Sequence, residues 1–174
     1  MERLLPIDCC VHPGKVQQIA PIYSIAMSRL LVPSAVFVIL KRGNEVMLAQ
    51  RINTGHEDGN FGLVAGHIDA GESATQALIR EAREEAGIVL QRHDLRLVHM
   101  QHYTRANAVY IDWFFEATTW TGEPRIMEPE KCGELRWCSL GTLPGNTIGY
   151  IRHVLDDIYT RESNYSEWGW ETGQ

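Results

Sequence analysis

Between Gly71 and Gly87 the chain contains neither glycine nor proline, and the residues from Ser73 to Ala86 are mostly strong helix formers. No other stretch limits the fold as tightly. At about 100° per residue, Leu78, Ile79, Ala82 and Ala86 fall on one side of the predicted helix as an apolar stripe. Glu81, Glu84 and Glu85 gather on the adjacent side, while Gln76, Arg80 and Arg83 point away from the stripe. Glu72 stands at the N-terminal end, where negative charge suits the helix dipole, and Gly87 is placed to stop the helix. The helix must therefore lie against a core along one edge and carry three like charges along another. Such charges repel at helical spacing. Two readings fit: a plain solvated face, or a seat for a hard divalent cation such as Mg²⁺, which takes oxygen ligands.

The flanks read as strands. Val32 to Leu40 is rich in Val, Ile and Phe; Lys41-Arg42-Gly43-Asn44 is a turn; Val46 to Gln50 returns, giving a hairpin. Phe61 to Ala65 reads as one short strand. Leu95 to Tyr103, Ala108 to Thr119 and Leu135 to Cys138 read as further strands. A second helix carries Ile148, Ile151, Val154, Leu155 and Ile158 at helical spacing and is expected to be capped by Asn146 or Thr147. This is α+β organisation in one domain. Residues 1–28, with scattered prolines and no periodicity, are expected to be an extension, and Met27 a candidate second start that makes 1–26 dispensable. The domain is placed at residues 29–162. Residues 163–174 are expected to form an aromatic but irregular tail.

Charge and cysteines narrow the partners. Of 174 residues, 22 are acidic and 16 basic, a net charge of -6, which disfavours a long nucleic acid but leaves a small anionic substrate open if a metal ion supplies positive charge. Cys9, Cys10, Cys132 and Cys138 have no zinc-site spacing and read as reduced thiols. No apolar run is long enough to span a bilayer, and the N-terminus has no signal pattern, so a cytoplasmic protein with no membrane partner is expected.

The string around the helix goes further. It runs Gly66-His-Ile-Asp-Ala-Gly71-Glu72, then seven residues to Arg80-Glu81-Ala82-Arg83-Glu84-Glu85-Ala86-Gly87-Ile88. It resembles the Nudix box, G-x5-E-x7-R-E-U-x-E-E-x-G-U with U apolar, at every fixed position. The resemblance implies the Nudix fold, a mixed β-sheet sandwiched between helices (α/β/α). It implies that Glu81, Glu84 and Glu85 ligate Mg²⁺, or Mn²⁺, with the backbone carbonyl near Ala65 or Gly66 as a further ligand. Arg80 would brace the carboxylates rather than touch substrate, and Gly66, Gly71 and Gly87 would permit tight turns. Glu84 or Glu85 would take a proton from the attacking water, although other Nudix enzymes place that base outside the box.

Trp120-Thr-Gly-Glu-Pro resembles a turn of the mutator-type triphosphatases in this family, which points to Glu128 as an additional metal ligand, with Glu130 and Glu134 as rivals and plain surface charge as the alternative for all three. Arg51, in the loop before the box, could hold a terminal phosphate or simply belong to a turn. Tyr103 lies near the place where dinucleoside polyphosphate hydrolases of the family carry a tyrosine, and is equally an ordinary strand residue. His67, His99 and His102 read first as satisfied structural groups. Of Trp113, Phe114 and Phe115, at least one ring faces the core, and the other face could stack a base.

The implied activity is Mg²⁺-dependent hydrolysis of a diphosphate linkage in a nucleoside triphosphate or related derivative, giving a nucleoside monophosphate and pyrophosphate or phosphate. Dinucleoside polyphosphates, nucleotide sugars and ADP-ribose stay open as substrates, and so does a homodimer. ADP-ribose members carry a proline past the box that is missing around Tyr103. A binding module that holds nucleotide without cutting it would be expected to have lost box glutamates, and here all are present.

Overall fold

The computed structural model describes residues 32–105 and 108–170. The expected extension, Met27, Cys9 and Cys10 lie outside the described residues. In chain order the elements are β1 (Ser34–Arg42), β2 (Glu45–Arg51), β3 (Phe61–Gly62), β4 (Val64–His67), α1 (Ala74–Ala86), β5 (Leu95–Arg105), β6 (Ala108–Ala117), β7 (Cys132–Ser139), α2 (Gly149–Tyr159) and β8 (Tyr165–Trp168). The main path of the sheet is β3-β2-β1-β6-β5-β8, with β4 on β1 and β7 on β2. It is mixed: β1 runs parallel to β6 and β5 parallel to β8, and the remaining ladders are antiparallel.

Strand alternation sends side chains to two separate cores. Val36, Val38 and Leu40 of β1 and Phe115 of β6 pack beneath α1 with Ala77, Leu78, Ala82 and Ala86. Phe37 and Ile39 of β1 and Phe114 of β6 face the other way, onto Ile151, Val154 and Leu155 of α2. The sheet is thus covered by one helix on each face, the α+β sandwich. β6 is flanked by β1 and β5 and packed on both faces. Trp113 and Phe115 belong to the α1 side and Phe114 to the α2 side; Phe114 and Phe115 are buried, and Trp113 is partly buried.

Helix α1 starts and stops where its end residues require. Ser73 caps it: its hydroxyl accepts from the Gln76 amide, and the Gln76 side chain accepts from the Ser73 amide. Gly87 ends it in the left-handed region at φ 66°, its N–H turned back on the last turn. Glu72 does not serve the dipole as expected. The first turn holds no acid, and Glu72 folds back onto Arg80 instead.

Three other expectations need correction. Phe61 to Ala65 is two strands, because the chain leaves β2 at Leu63 and crosses to pair with β1. Neither Asn146 nor Thr147 caps α2. Asn146 donates to the Gly59 carbonyl and Thr147 to the Pro144 carbonyl, and the helix begins after Ile148, whose amide bonds to Phe61. The tail is not irregular over its described part, because Tyr165–Trp168 adds a parallel strand to β5. His99 and Gln101 anchor that strand through the Ser166 hydroxyl, and the Trp170 indole donates to the His102 carbonyl.

Candidate functional site

The three helix glutamates are not equivalent. Glu84 is largely exposed, and its carboxylate meets Arg80 Nη1 at 3.2 Å. Glu81 is far more enclosed and meets the same nitrogen at 2.6 Å. Glu85 turns the other way: its Oε2 accepts from the Ala65 amide of β4 at 3.1 Å. Arg80 also donates to both carboxylate oxygens of Glu72 at 3.0 Å and to the His67 carbonyl at 3.1 Å. One planar guanidinium thus ties the box loop to the helix and sets the direction of two of the glutamates. Its bonds to Glu72 and Glu81 hold its own pKa well above the ordinary arginine value, and they lower that of Glu72.

Gly66 is needed for space rather than for a turn. It lies within β4, paired with Val36, and is not among the positive-φ glycines. A Cβ there would stand 1.9 Å from Glu81 Oε1 and 2.0 Å from its carboxyl carbon. The expectation of a turn at Gly66 is therefore corrected: strand and helix approach too closely for any side chain. Gly71, at φ 84°, and Gly87 do sit at turns.

Beside Glu85 opens a cavity of about 520 Å³. Ala65, Gly66, Glu85, Glu128, Arg51 and Tyr103 all line it, so residues from five places in the sequence converge on one space. Glu128 is separated there from its rivals. Its side chain faces the cavity and bonds Lys131 Nζ at 3.0 and 3.1 Å. Glu134 is tied to Arg136 at 2.6 Å, and neither it nor Glu130 lines the cavity. Glu84 and Arg80 border a shallower depression on the other side, which Glu128 also reaches. Among the described residues no three Asp, Glu, His or Cys side chains converge into a closed metal cage. The acids form an open row instead, drawn apart by Arg80 at one end and the Ala65 amide at the other.

Burial dominates the electrostatics. It pushes the Glu85 carboxyl up to about 7; the Ala65 amide opposes the shift, and the charges of Glu81 and Glu128 add to it. Burial also raises Glu81, against the pull of Arg80. Among the described residues no side-chain cation pairs with Glu85, so its ionised form is left without a counter-charge. Oxygen-only donors carrying surplus charge fit a hard divalent cation.

Arg51 lines the cavity, but its guanidinium is already engaged. It donates to the His56 carbonyl at 2.9 Å and to the Thr54 hydroxyl at 3.1 Å. Asp58 completes this loop by accepting from the amides of Thr54 and Gly55. His67 is exposed, His99 is buried among its hydrogen bonds, and His102 stacks on Trp170; only His67 reaches the cavity. Sequence reasoning missed Asp112, Tyr110, Tyr150, Arg105 and Lys131, which also line it. Asp112 had a visible signal, an acid in the middle of an apolar strand. The others became neighbours only through the fold.

Residues 31–158 match the NUDIX domain family. The chain belongs to this family. It is 30% identical over 139 residues to the NAD-capped RNA hydrolase NudC of Pseudomonas aeruginosa (strain PAO1), covering 79% of this chain and 47% of that protein. It is 29% identical over 126 residues to the protein of the same name from Pseudomonas entomophila (strain L48), covering 72% and 43%. The chain thus spans a little under half the length of these relatives. Among solved structures, the MutT NUDIX hydrolase of Burkholderia pseudomallei superposes with a TM-score of 0.68 at 27% identity, covering 74% of this chain and 98% of that one. The E. coli ORF135 protein superposes at 0.65 with 21% identity, covering 77% and 93%, a likeness of fold. No helix among the described residues is long and apolar enough to cross a membrane.

Proposed function

We propose that this Nudix protein hydrolyses a diphosphate linkage in a nucleoside triphosphate or a related nucleoside diphosphate derivative, with Mg²⁺ or Mn²⁺ as cofactor, releasing a nucleoside monophosphate and pyrophosphate or phosphate. The observation that carries this reading is Glu85, a carboxyl bonded only to the Ala65 amide among the described residues, at the wall of the cavity that also holds Glu128, Arg51 and Tyr103.

Glu81, Glu84, Glu85 and Glu128, with the Ala65 carbonyl, would hold the divalent ions. When bound, these ions neutralise the diphosphate oxygens and lower the pKa of water. Arg80 positions Glu81 and Glu84 through its two short contacts and stays off the substrate. The Ala65 amide fixes Glu85. Glu85, at the wall of the cavity, would take a proton from the attacking water, with Glu84 as the exposed alternative. Arg51 and Lys131 bring positive charge to the cavity for phosphate oxygens, and Tyr103 supplies an apolar wall for the rest of the substrate. The relatives named NAD-capped RNA hydrolase favour a second reading in which the diphosphate joins two nucleosides.

Incubating the protein with Mg²⁺ and a panel of nucleoside triphosphates, dinucleotides, nucleotide sugars and ADP-ribose, read by product mass, identifies both substrate and bond. Glu85→Gln keeps an acceptor for the Ala65 amide and should lower turnover on the order of 10²–10⁴-fold. Wild-type turnover by that variant, or product formed equally well in excess chelator, contradicts the reading.

A further inference from the structure

Asp112 is 4% exposed, at the centre of β6, and it lines the same cavity as Glu85. No ion pair reaches it among the described residues; the one group that favours its charged form is the Ala35 backbone amide. The contrast with Glu116, four residues along the same strand and 7% exposed, is direct. Glu116 accepts from Arg96 at 2.6 Å and from the Tyr159 hydroxyl at 2.5 Å. A buried carboxyl normally finds such partners, because leaving one without them is costly. Among the described residues Asp112 has no side-chain partner, and the cavity is the open space from which one can reach it.

The surroundings say what that partner is. Tyr103 lies 5.5 Å from Tyr110 and 5.1 Å from Tyr150, ring centre to ring centre, and Tyr150 meets Phe37 edge-on at 6.4 Å. All four rings line the cavity. Burial raises the pKa of both Tyr103 and Tyr150, and the charge of Asp112 adds to it, which places the carboxyl among these rings. An aromatic wall takes a flat π-system. The strand ladders then set the distance to the acidic row. Asp112 pairs with Ala35, which pairs with His67, whereas Ala65, the partner of Glu85, pairs with Phe37 two residues further along β1. Two strand spacings and two residues separate Asp112 from Ala65 by roughly 12 Å. A sugar and a phosphate fit between the ring end and the glutamate end.

We infer that Asp112 is a specificity-determining residue that accepts a hydrogen bond from the exocyclic amino group of the substrate's nucleobase, with the base packed against the tyrosine wall. Ionised, as it is well above pH 7, the carboxyl only accepts, so an amino group satisfies it, whereas a carbonyl at that position faces it with a second acceptor. This rests on the proposed nucleotide substrate and adds its chemistry: bases carrying an amino group are preferred over their oxo counterparts.

The test is binding of nucleoside monophosphates to the full chain at about pH 8.5, where the Asp112 carboxyl is ionised, in excess chelator, by calorimetry, in the pairs AMP and IMP, GMP and IMP, and CMP and UMP. Within at least one pair the amino base should bind about tenfold tighter, since a site built around an N–H donor rejects the analogue lacking it. Asp112→Asn, whose carboxamide can donate or accept, should bring that ratio near one. Wild-type ratios near one in every pair, no binding of any monophosphate, or an unchanged ratio in Asp112→Asn would each overturn the inference. The wild-type ratios need no variant to fold. Magnesium-dependent hydrolysis measured on the same samples separates the two ideas. Hydrolysis without amino preference sinks only the role of Asp112, and amino preference without hydrolysis sinks only the catalytic reading.

Discussion

Two groups of acids share this small fold, and their surroundings differ in kind. Away from Glu85 and Asp112 the protein neutralises its own charge. Arg80 serves Glu72, Glu81 and Glu84; Arg161 and His153 serve Asp157; Arg96 and Tyr159 serve Glu116. Along the cavity Glu85 and Asp112 have only a backbone amide each, and burial pushes both up to about 7. A carboxylate paired within the chain is explained by folding. One kept short of partners beside a cavity costs stability, and its explanation lies in what enters the cavity.

Gly66→Ala would break this division most severely. The new methyl group collides with the Glu81 carboxyl and displaces it from Arg80. Turnover should fall on the order of 10²-fold, since small misplacements of positioning groups cost that much. Turnover within a factor of two of wild type would show that the contact between β4 and α1 does not set the site.

Arg80→Ala comes next. It strands Glu72 and Glu81 together with the exposed Glu84, so Tm should fall by roughly 5 °C. Turnover should fall as well, with added Mg²⁺ restoring part of the Tm as the cation takes over the charge. A loss of Tm that Mg²⁺ leaves untouched would mean that Arg80 serves the fold alone.

The smallest effect is on pH dependence, and it sharpens the comparison rather than breaking it. The folded-state pKa of Glu85 and of Asp112 lies above the ordinary carboxylate value. Between about pH 4 and 7 these two groups therefore hold more protons in the folded chain than in the unfolded one, and their contribution to stability falls as pH rises. Burial lowers His56 and His99, whose contribution runs the other way in the same window, so the carboxyl variants isolate the effect. Thermal melts in chelator should show the Tm of Asp112→Asn and of Glu85→Gln gaining on that of the wild type from pH 5 to about 7 and levelling above. A difference from wild type that stays constant or shrinks through this window would contradict the burial assigned to both groups.

Much of this arrangement could be read from the residues. Helix α1, its Gly87 stop, the β1–β2 hairpin and the acidic row all follow from local pattern, and the structure holds them where that pattern puts them. What escaped depends on distant partners. β8 exists because Ser166 meets His99 and Gln101, far away in sequence. The start of α2 is set by bonds from Asn146 and Ile148 to the Gly59–Phe61 segment, so its polar residues are diverted from capping. Gly66 looked like a turn because the packing of Glu81 against it has no signature in spacing. The bonds from Arg51 to Thr54 and His56 were not legible either, because they appear only once the loop closes.

The central claim is that Glu85 is left without a side-chain counter-charge because a divalent cation supplies it. Calorimetric titration of Mg²⁺ and Mn²⁺ into the wild-type chain, Glu85→Gln and the self-neutralised control Asp157→Asn tests this most directly. Binding in the wild type and in Asp157→Asn, weakened about tenfold or more in Glu85→Gln, is the predicted result. Equal affinity in all three proteins, or no binding by the wild type even with nucleotide present, would contradict it.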